Sequence, residues 1–412
     1  MLKYYANFYI SSKTISFSLI KDVDGILVSA GNNCNFEFDY RSKSESKIKA
    51  LQLKDIFSNL DNNSIIASNI IFEDSLFQDI KFNKLEINLE KSEIQNSDLT
   101  LKDLKNLIND KTKKHLEELI DHQTNIVINQ PYKFVVHYQG ISKEYTKLNQ
   151  NIEWDLITQY SSFIAINKNE LAFNKITQFL DNIGLTKKRN YWLKSQVIAS
   201  EFISNKRINI LVNLSSDFCS FNIVQNGVII GYKKLLVGTS SLIKQLTLET
   251  KLNQSQILNR LRYVAKNAYS YQDNSLALDN NLKYFASQME RFNNNIAKEI
   301  HNFVSIYVLN NMYNGFDKLS FSGELDWFIN HLMQLFKKVN KAKIEPVFIN
   351  QTNQRYIFGS DANKVIKQAL TLTSWFNNNK PIQPGTSDVN LKEFDNTNSN
   401  LKKIFNKWKG VN

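Results

Sequence analysis

Two stretches of the sequence carry residue types and spacings that could do chemistry. In the first, Leu401, Ile404, Phe405 and Trp408 recur at i, i+3, i+4 and i+7. That spacing places all four on one face of a helix. Lys402, Lys403, Lys407 and Lys409 fill other positions, and no acid interrupts them. An apolar face with Phe and Trp beside a lysine-rich face suits the interface of an anionic membrane. Each lysine near such a surface contributes about 1 kcal/mol, and each large apolar side chain about 1.5–3 kcal/mol when buried. Reversible binding is expected, strengthened when many copies cluster. A helix docked on its own core, or an unstructured basic tail, fits the same residues. In the second stretch, Ile208–Val212 and Phe218–Val224 read as strands around the polar loop Asn213-Leu214-Ser215-Ser216-Asp217, and Asn226-Gly227 turns the chain into Val228-Ile229-Ile230. A hairpin of this kind can hold phosphate when its turn is glycine-rich: backbone N–H groups reach the oxygens and an Asp orients metal and water.

Other chemistries find no support. The five His (His115, His122, His137, His301, His331) share no metal-ligand spacing, and no HExxH, GxSxG, Walker A or GxGxxG pattern occurs. No metal site is expected. The two cysteines, Cys34 and Cys219, form no CxxC, and a reducing compartment fits. The net charge of +12 favours acidic partners. It is a weak guide, because Asn makes up about one residue in eight and Lys far outnumbers Arg, the mark of an A+T-rich genome such as that of a low-G+C bacterium. No nucleic-acid motif accompanies the charge, so a nucleic-acid partner is not expected. The opening residues hold no apolar leader, and no run of about 18 apolar residues would span a membrane.

The elements that must position these residues follow from pattern. Strands are expected from Phe8 to Ile20, then through the Asp24-Gly25 turn into Ile26-Leu27-Val28, at Ser64–Ala67, over 83–95, and as two separate runs on either side of Pro131. Thr100 and Asp103 form a capping box that opens a helix to about Leu119. A helix from Leu171 is stopped by Gly184. Further helices are expected from Gly238-Thr239 onward, over 252–266 and 285–312, after the strand Lys318–Phe321, and over about 361–375. Paired aromatics such as Phe8-Tyr9 are expected in the core. The triplet Asn293-Asn294-Asn295 reads as compositional.

In order and position these elements resemble the bacterial cell-division protein family FtsA, of the actin-like superfamily. The resemblance rests on Ile208–Gln245 with Asn226-Gly227 and Val237-Gly238, on Leu171–Ala199, on Leu319–Leu325, and on the basic amphipathic segment behind a polar stretch. It covers essentially the whole chain and is diffuse in sequence. It implies an α/β, actin-like two-domain fold with an inserted α+β subdomain. The parts would be subdomain IA (1–75 and 159–200), the inserted subdomain 1C (76–158), IIA (201–240 and 319–375), IIB (241–318), a flexible linker (376–399) and a membrane-targeting helix (400–412).

The departures from that family's pattern are as informative. Asn213 stands where the family has the first Asp of Asp-Ile-Gly-Gly-Gly-Thr-Thr-Asp, and Ser215 and Ser216 replace glycines. Asn7 stands in place of the Asp of an N-terminal Asp-x-Gly, and Gln256 and Asn259 fall where an acid and a lysine would touch nucleotide. Gly238 and Gly323 survive. The implied cofactor is ATP with Mg, bound weakly or not at all, without hydrolysis, so the chain is expected not to be an enzyme. The implied partners are the C-terminal tail of the tubulin-like protein FtsZ, the anionic membrane surface and, in filaments, other copies of the chain. Arg291, Asn294 and Asn295 fall near the family's tail-binding helix. The implied location is the cytoplasmic face of the membrane at the division site. A soluble scaffold resembling the pilus protein PilM, or an active actin-fold ATPase or kinase, is the alternative.

Overall fold

The structure, a computed structural model, describes residues 3–12, 14–23, 26–37, 53, 54, 57, 65–77, 79–94, 99–119, 124–149, 152–167, 169–185, 189–203, 207–267, 280–309, 316–323, 325–339, 346–348 and 383–384. The chain opens with β1 (Lys3–Ile10), β2 (Thr14–Val23), β3 (Ile26–Glu37) and β4 (Ile65–Phe72). Then come β5 (Ile80–Glu90), helix α1 (Leu101–Leu119), β6 (Thr124–Tyr138), β7 (Ile141–Tyr145) and β8 (Leu156–Asn167). Helix α2 (Leu171–Asn182), β9 (Arg189–Leu193) and α3 (Lys194–Ala199) complete the first half. The second half runs β10 (Ile208–Leu214), β11 (Cys219–Gln225), β12 (Val228–Leu235), α4 (Thr239–Thr250), α5 (Gln254–Asn267), α6 (Asn280–Leu309), β13 (Lys318–Gly323), α7 (Asp326–Val339) and β14 (Pro346–Phe348). A two-residue strand, β15 (Gln383–Pro384), follows.

The two halves repeat one topology. In the first sheet β3-β2-β1-β4-β9 are neighbours, and in the second β12-β11-β10-β13-β14. In each, the first three strands are antiparallel hairpin partners and the last two join in parallel. Parallel pairing needs crossovers; α2 precedes β9, α4 to α6 precede β13, and α7 precedes β14. Two α/β halves with this duplicated sheet order are the actin-like fold.

Sequence periodicity accounts for most elements. Val23 lies opposite Ile26 where β2 and β3 pair antiparallel. Asn226 (φ +50°) and Gly227 (φ +77°) both take the left-handed turn conformation that a two-residue hairpin loop demands. At Gly184, φ is +84° just after α2, the conformation favoured beyond a helix end. The Thr100–Asp103 box is present: Asp103 Oδ2 accepts from Thr100 N (3.1 Å), and Thr100 Oγ1 accepts from Asp103 N (3.3 Å). Phe8, Phe17 and Phe57 cluster in the first core, and Tyr5, Phe8 and Tyr9 are buried there.

Three expectations change. The inserted unit does not end at 158. Strand β8 pairs along its length with β5 on one side and β6 on the other as far as Asn167, because an antiparallel sheet needs this central strand to satisfy both neighbours. The two runs around Pro131 are one strand, β6, and Pro131 sits at a register shift between Pro131 and Lys133, where a missing N–H is tolerated. The stretch expected as linker is not structureless throughout, since Gln383 and Pro384 add to the open edge of β3. The helix expected at 361–375 and the segment 400–412 lie outside the described residues.

Candidate functional site

The two hairpin loops that would clamp a ligand are built alike. Ile10 faces Ile15, and Leu214 faces Cys219, so each loop has four residues. In the first, Ser11 N donates to Thr14 O (2.9 Å), and Ser11 Oγ accepts from Thr14 N (3.0 Å). In the second, Ser215 N donates to Phe218 O (2.9 Å), and Ser215 Oγ accepts from Phe218 N (3.3 Å). A serine at the first loop position does the turn-closing in both.

This register corrects one sequence expectation. The residue equivalent to Asn213 in the first half is Tyr9, two positions beyond Asn7. Asn7 is fully buried and belongs to an amide ladder across the sheet. It lies opposite Asn69, which lies opposite Asn190. Asn69 Nδ2 donates to Asn7 Oδ1 (2.9 Å), and Trp192 Nε1 donates to Asn69 Oδ1 (3.3 Å). These side chains hold strand register rather than line a cleft.

The second loop is packed onto the start of α4. Thr239 N donates to Ser215 O (3.1 Å), and Ser240 N to Ser216 O (2.7 Å). Ser240 Oγ donates to Asp217 Oδ1 (3.0 Å). The first N–H groups of a helix are its anion-binding groups, and here the loop's own carbonyls occupy two of them. Gly238 permits the approach, since a Cβ there would lie 2.3 Å from Ser216 O. Asn213 faces Ser322 across β10 and β13, and both keep a buried polar atom without a hydrogen bond, Nδ2 and Oγ. Gly323 lets β13 pack closely, since a Cβ would meet Leu214 O and the Ile329 side chain at 2.6 Å.

Gln256 is engaged elsewhere. Its Oε1 accepts from Asn253 N (3.1 Å), while Asn253 Oδ1 accepts from Gln256 N (2.9 Å), a reciprocal cap at the start of α5. Asn259 is exposed one turn on. Arg291 and Asn295 are exposed on α6, with Asn294 half-buried. Tyr284 Oη and Gln245 Nε2 donate to Glu249, and these bonds, with the Arg291 charge beside it, hold that carboxyl below its ordinary range. Asn293 is not merely compositional: fully buried, it hydrogen-bonds His331 Nδ1 at 2.8 Å and ties α6 to α7. Among the described residues no cluster of His, Cys, Asp or Glu could hold a metal ion, and no helix is long and apolar enough to cross a membrane.

Sequence reasoning missed the junction of the three sheets. Gln196 of α3 donates to Gln130 of β6 and to Gly227 O, and its Oε1 accepts from Ile229 N. Asn226 Nδ2 donates to Tyr132 O and Thr146 O. The inserted sheet is thereby clamped to the second half. Asp74, just after β4, is fully buried; its Oδ1 accepts from Ser195 N at 3.2 Å. Burial pushes its carboxyl up, against the opposing pull of the Ser195 hydroxyl and amide and then of Lys194 and Lys234. A lone Glu-Asp after an apolar strand gives no sequence signal of such a role.

No family model matches the chain, and no curated protein matches it in sequence. Solved structures do match. The PilM–PilN type IV pilus biogenesis complex is 8% identical, over 92% of this chain and 98% of the other, with a TM-score of 0.49. The ethanolamine utilization protein EutJ from Carboxydothermus hydrogenoformans is 7% identical, over 90% and 88%, with a TM-score of 0.37. The activator of 2-hydroxyisocaproyl-CoA dehydratase from Clostridium difficile, with bound ADPNP, is 7% identical, over 92% and 99%, with a TM-score of 0.36. At these identities the likeness concerns the path of the chain and says nothing of ligand or partner.

Proposed function

We propose that the protein is an actin-like adaptor of the FtsA type that holds FtsZ filaments to the cytoplasmic face of the membrane at the division site, with ATP binding weak or lost. The observation that carries the scaffold reading is the loop Ser215–Asp217 seated on the first N–H groups of α4. A phosphate would have to displace two backbone hydrogen bonds and approach the Asp217 carboxylate. The residues present do not fit a magnesium-bound triphosphate: Asn213 cannot supply an anionic ligand, and serine side chains stand where glycines would open the backbone. The membrane half of the proposal rests on Leu401, Ile404, Phe405 and Trp408 with their lysines, and the FtsZ half on the family resemblance. Self-association into filaments would cluster the segment and raise avidity.

Two measurements test these parts separately. Thermal unfolding with millimolar Mg-ATP should leave the midpoint unchanged within about 1 °C. A ligand at about a hundred times its Kd adds about 2.7 kcal/mol, so a shift of several degrees would restore the ATPase reading. In co-sedimentation with anionic vesicles, the full chain should carry FtsZ into the pellet and a chain ending at Asn400 should not. If the full chain pellets alone and FtsZ stays behind, the FtsZ part falls. If neither chain pellets, the soluble, PilM-like scaffold takes its place.

A further inference from the structure

The strongest unexplained chemistry lies where the first half meets β12 of the second. Lys234 of β12 reaches across, its Nζ donating to Asp74 O (3.3 Å) and Phe77 O (3.2 Å). The same ammonium lies 5.0 Å from the centre of the Phe218 ring, in the second hairpin loop. Tyr232, two residues earlier, stacks on Phe82 of β5 at 4.4 Å. So one strand of the second half is bonded to the first half and stacked on the inserted sheet.

Inside this junction, among the described residues, Asp74 Oδ2, Ser75 Oγ, Ser195 Oγ and Tyr232 Oη are buried with no partner at hydrogen-bond distance, while the Ser195 hydroxyl is near enough to Asp74 to favour its ionised form. An ionised carboxylate in this setting would be buried with the Ser195 amide and hydroxyl as its near polar support, which is costly. Lys194 and Lys234 offset part of that cost through their charge, but Lys234 gives its two hydrogen bonds to main-chain carbonyls rather than to the carboxyl. A protonated carboxyl removes the charge.

We propose that Asp74, Ser195, Tyr232 and Lys234 form a proton-linked latch between the two halves, closed while the Asp74 carboxyl keeps its proton and open once it ionises. On opening, the carboxyl gives its O–H proton to water and becomes a hydrated carboxylate. Lys234 exchanges two carbonyl partners for solvent. The groups facing the junction are Lys194 of α3, Tyr232 and Lys234 of β12, Cys219 of β11, and Glu170 before α2. Burial raises Asp74, Tyr232 and Cys219 and lowers Lys234. Tyr232 and Cys219 therefore stay neutral through the neutral range, and the switch is assigned to the Asp74 carboxyl, whose charge burial disfavours. The sign follows from linkage. The closed form binds the proton more tightly than the open form, whose carboxyl has an ordinary value near about 4. Closure is therefore favoured at low pH and weakens by up to about tenfold per pH unit as pH rises, until the closed-state value is passed. The latch does not depend on the adaptor reading.

The test uses the full chain with Cys34→Ser and spin labels at Gln178→Cys on α2 and Lys244→Cys on α4, both exposed positions. Inter-label distances are measured by pulsed electron resonance at pH 5.5 and 8.5. The ratio of long to short distances should rise more than twofold with pH. Asp74→Asn, a neutral isostere, should stay short with less than a twofold change, and Lys234→Met should be long at both values. The proposal is overturned if Asp74→Asn keeps the parent's pH dependence, if the parent shows one distance at both values, or if folded Lys234→Met matches the parent. Should Lys234→Met not fold, the comparison of parent with Asp74→Asn still decides.

Discussion

Replacing Gly238 with alanine should destabilise the second half by about 3 kcal/mol, the upper end for overpacking a tight site. The cause is local and steric. The new Cβ would lie 2.3 Å from Ser216 O, 2.5 Å from Ser216 C and 2.6 Å from Asp217 N. All three are backbone atoms, so no side chain can swing away. The φ of Gly238, −129°, is open to any residue, so backbone strain contributes nothing. Relief requires the loop to lift from α4, and that breaks the bonds from Thr239 N and Ser240 N to the loop carbonyls. Urea unfolding followed by circular dichroism reads the loss directly. A change below about 0.5 kcal/mol would mean that the loop lifts freely. The amides at the start of α4 would then be available to an anion, and the scaffold reading would lose its main support.

Replacing both Phe405 and Trp408 with glutamate should lower affinity for anionic vesicles by on the order of a hundredfold or more. Each large apolar side chain contributes about 1.5–3 kcal/mol on burial, and about 1.4 kcal/mol is tenfold in affinity. The new carboxylates would also be repelled by the anionic leaflet. Changing Lys402, Lys403, Lys407 and Lys409 to glutamine should give a different signature. Binding then weakens by about 1 kcal/mol per lysine, and what remains loses most of its salt dependence, because the screened charges are gone. Vesicle flotation across a salt series separates the two. If the double glutamate variant still floats with wild-type affinity, the apolar face is not what meets the lipid.

Legibility differed from element to element for physical reasons. The Thr100–Asp103 box, the Asn226-Gly227 turn and the Gly184 stop are local devices, made by residues within a few positions of one another. Composition alone therefore reveals them, and the hydrogen bonds and dihedrals agree. The extent of β8 was not legible. Its residues show no strict alternation, since it is the central strand with neighbours on both sides. Pro131 looked like a breaker because the bulge that accommodates it depends on the partner strand. Asn7 resembled a lost ligand position, and only the pairing of Ile10 with Ile15 and of Leu214 with Cys219 shifted the equivalence to Tyr9. Asn293, one of three consecutive asparagines, is bonded to His331 thirty-eight residues away.

The sequence by itself carried the order of most strands and helices and the amphipathic spacing of Leu401, Ile404, Phe405 and Trp408, because these depend on periodicity and short-range turn chemistry; the actin-like class was what its resemblance to a known family implied. The tertiary structure alone decided three things. The second loop sits on the start of α4. Gln196, Gln130 and Gly227 lock the inserted sheet to the second half. Asp74, Ser195, Tyr232 and Lys234 converge at one buried junction. Each joins groups tens to more than a hundred residues apart, and whether a polar side chain is solvated, bonded or buried bare depends on what the rest of the fold brings against it.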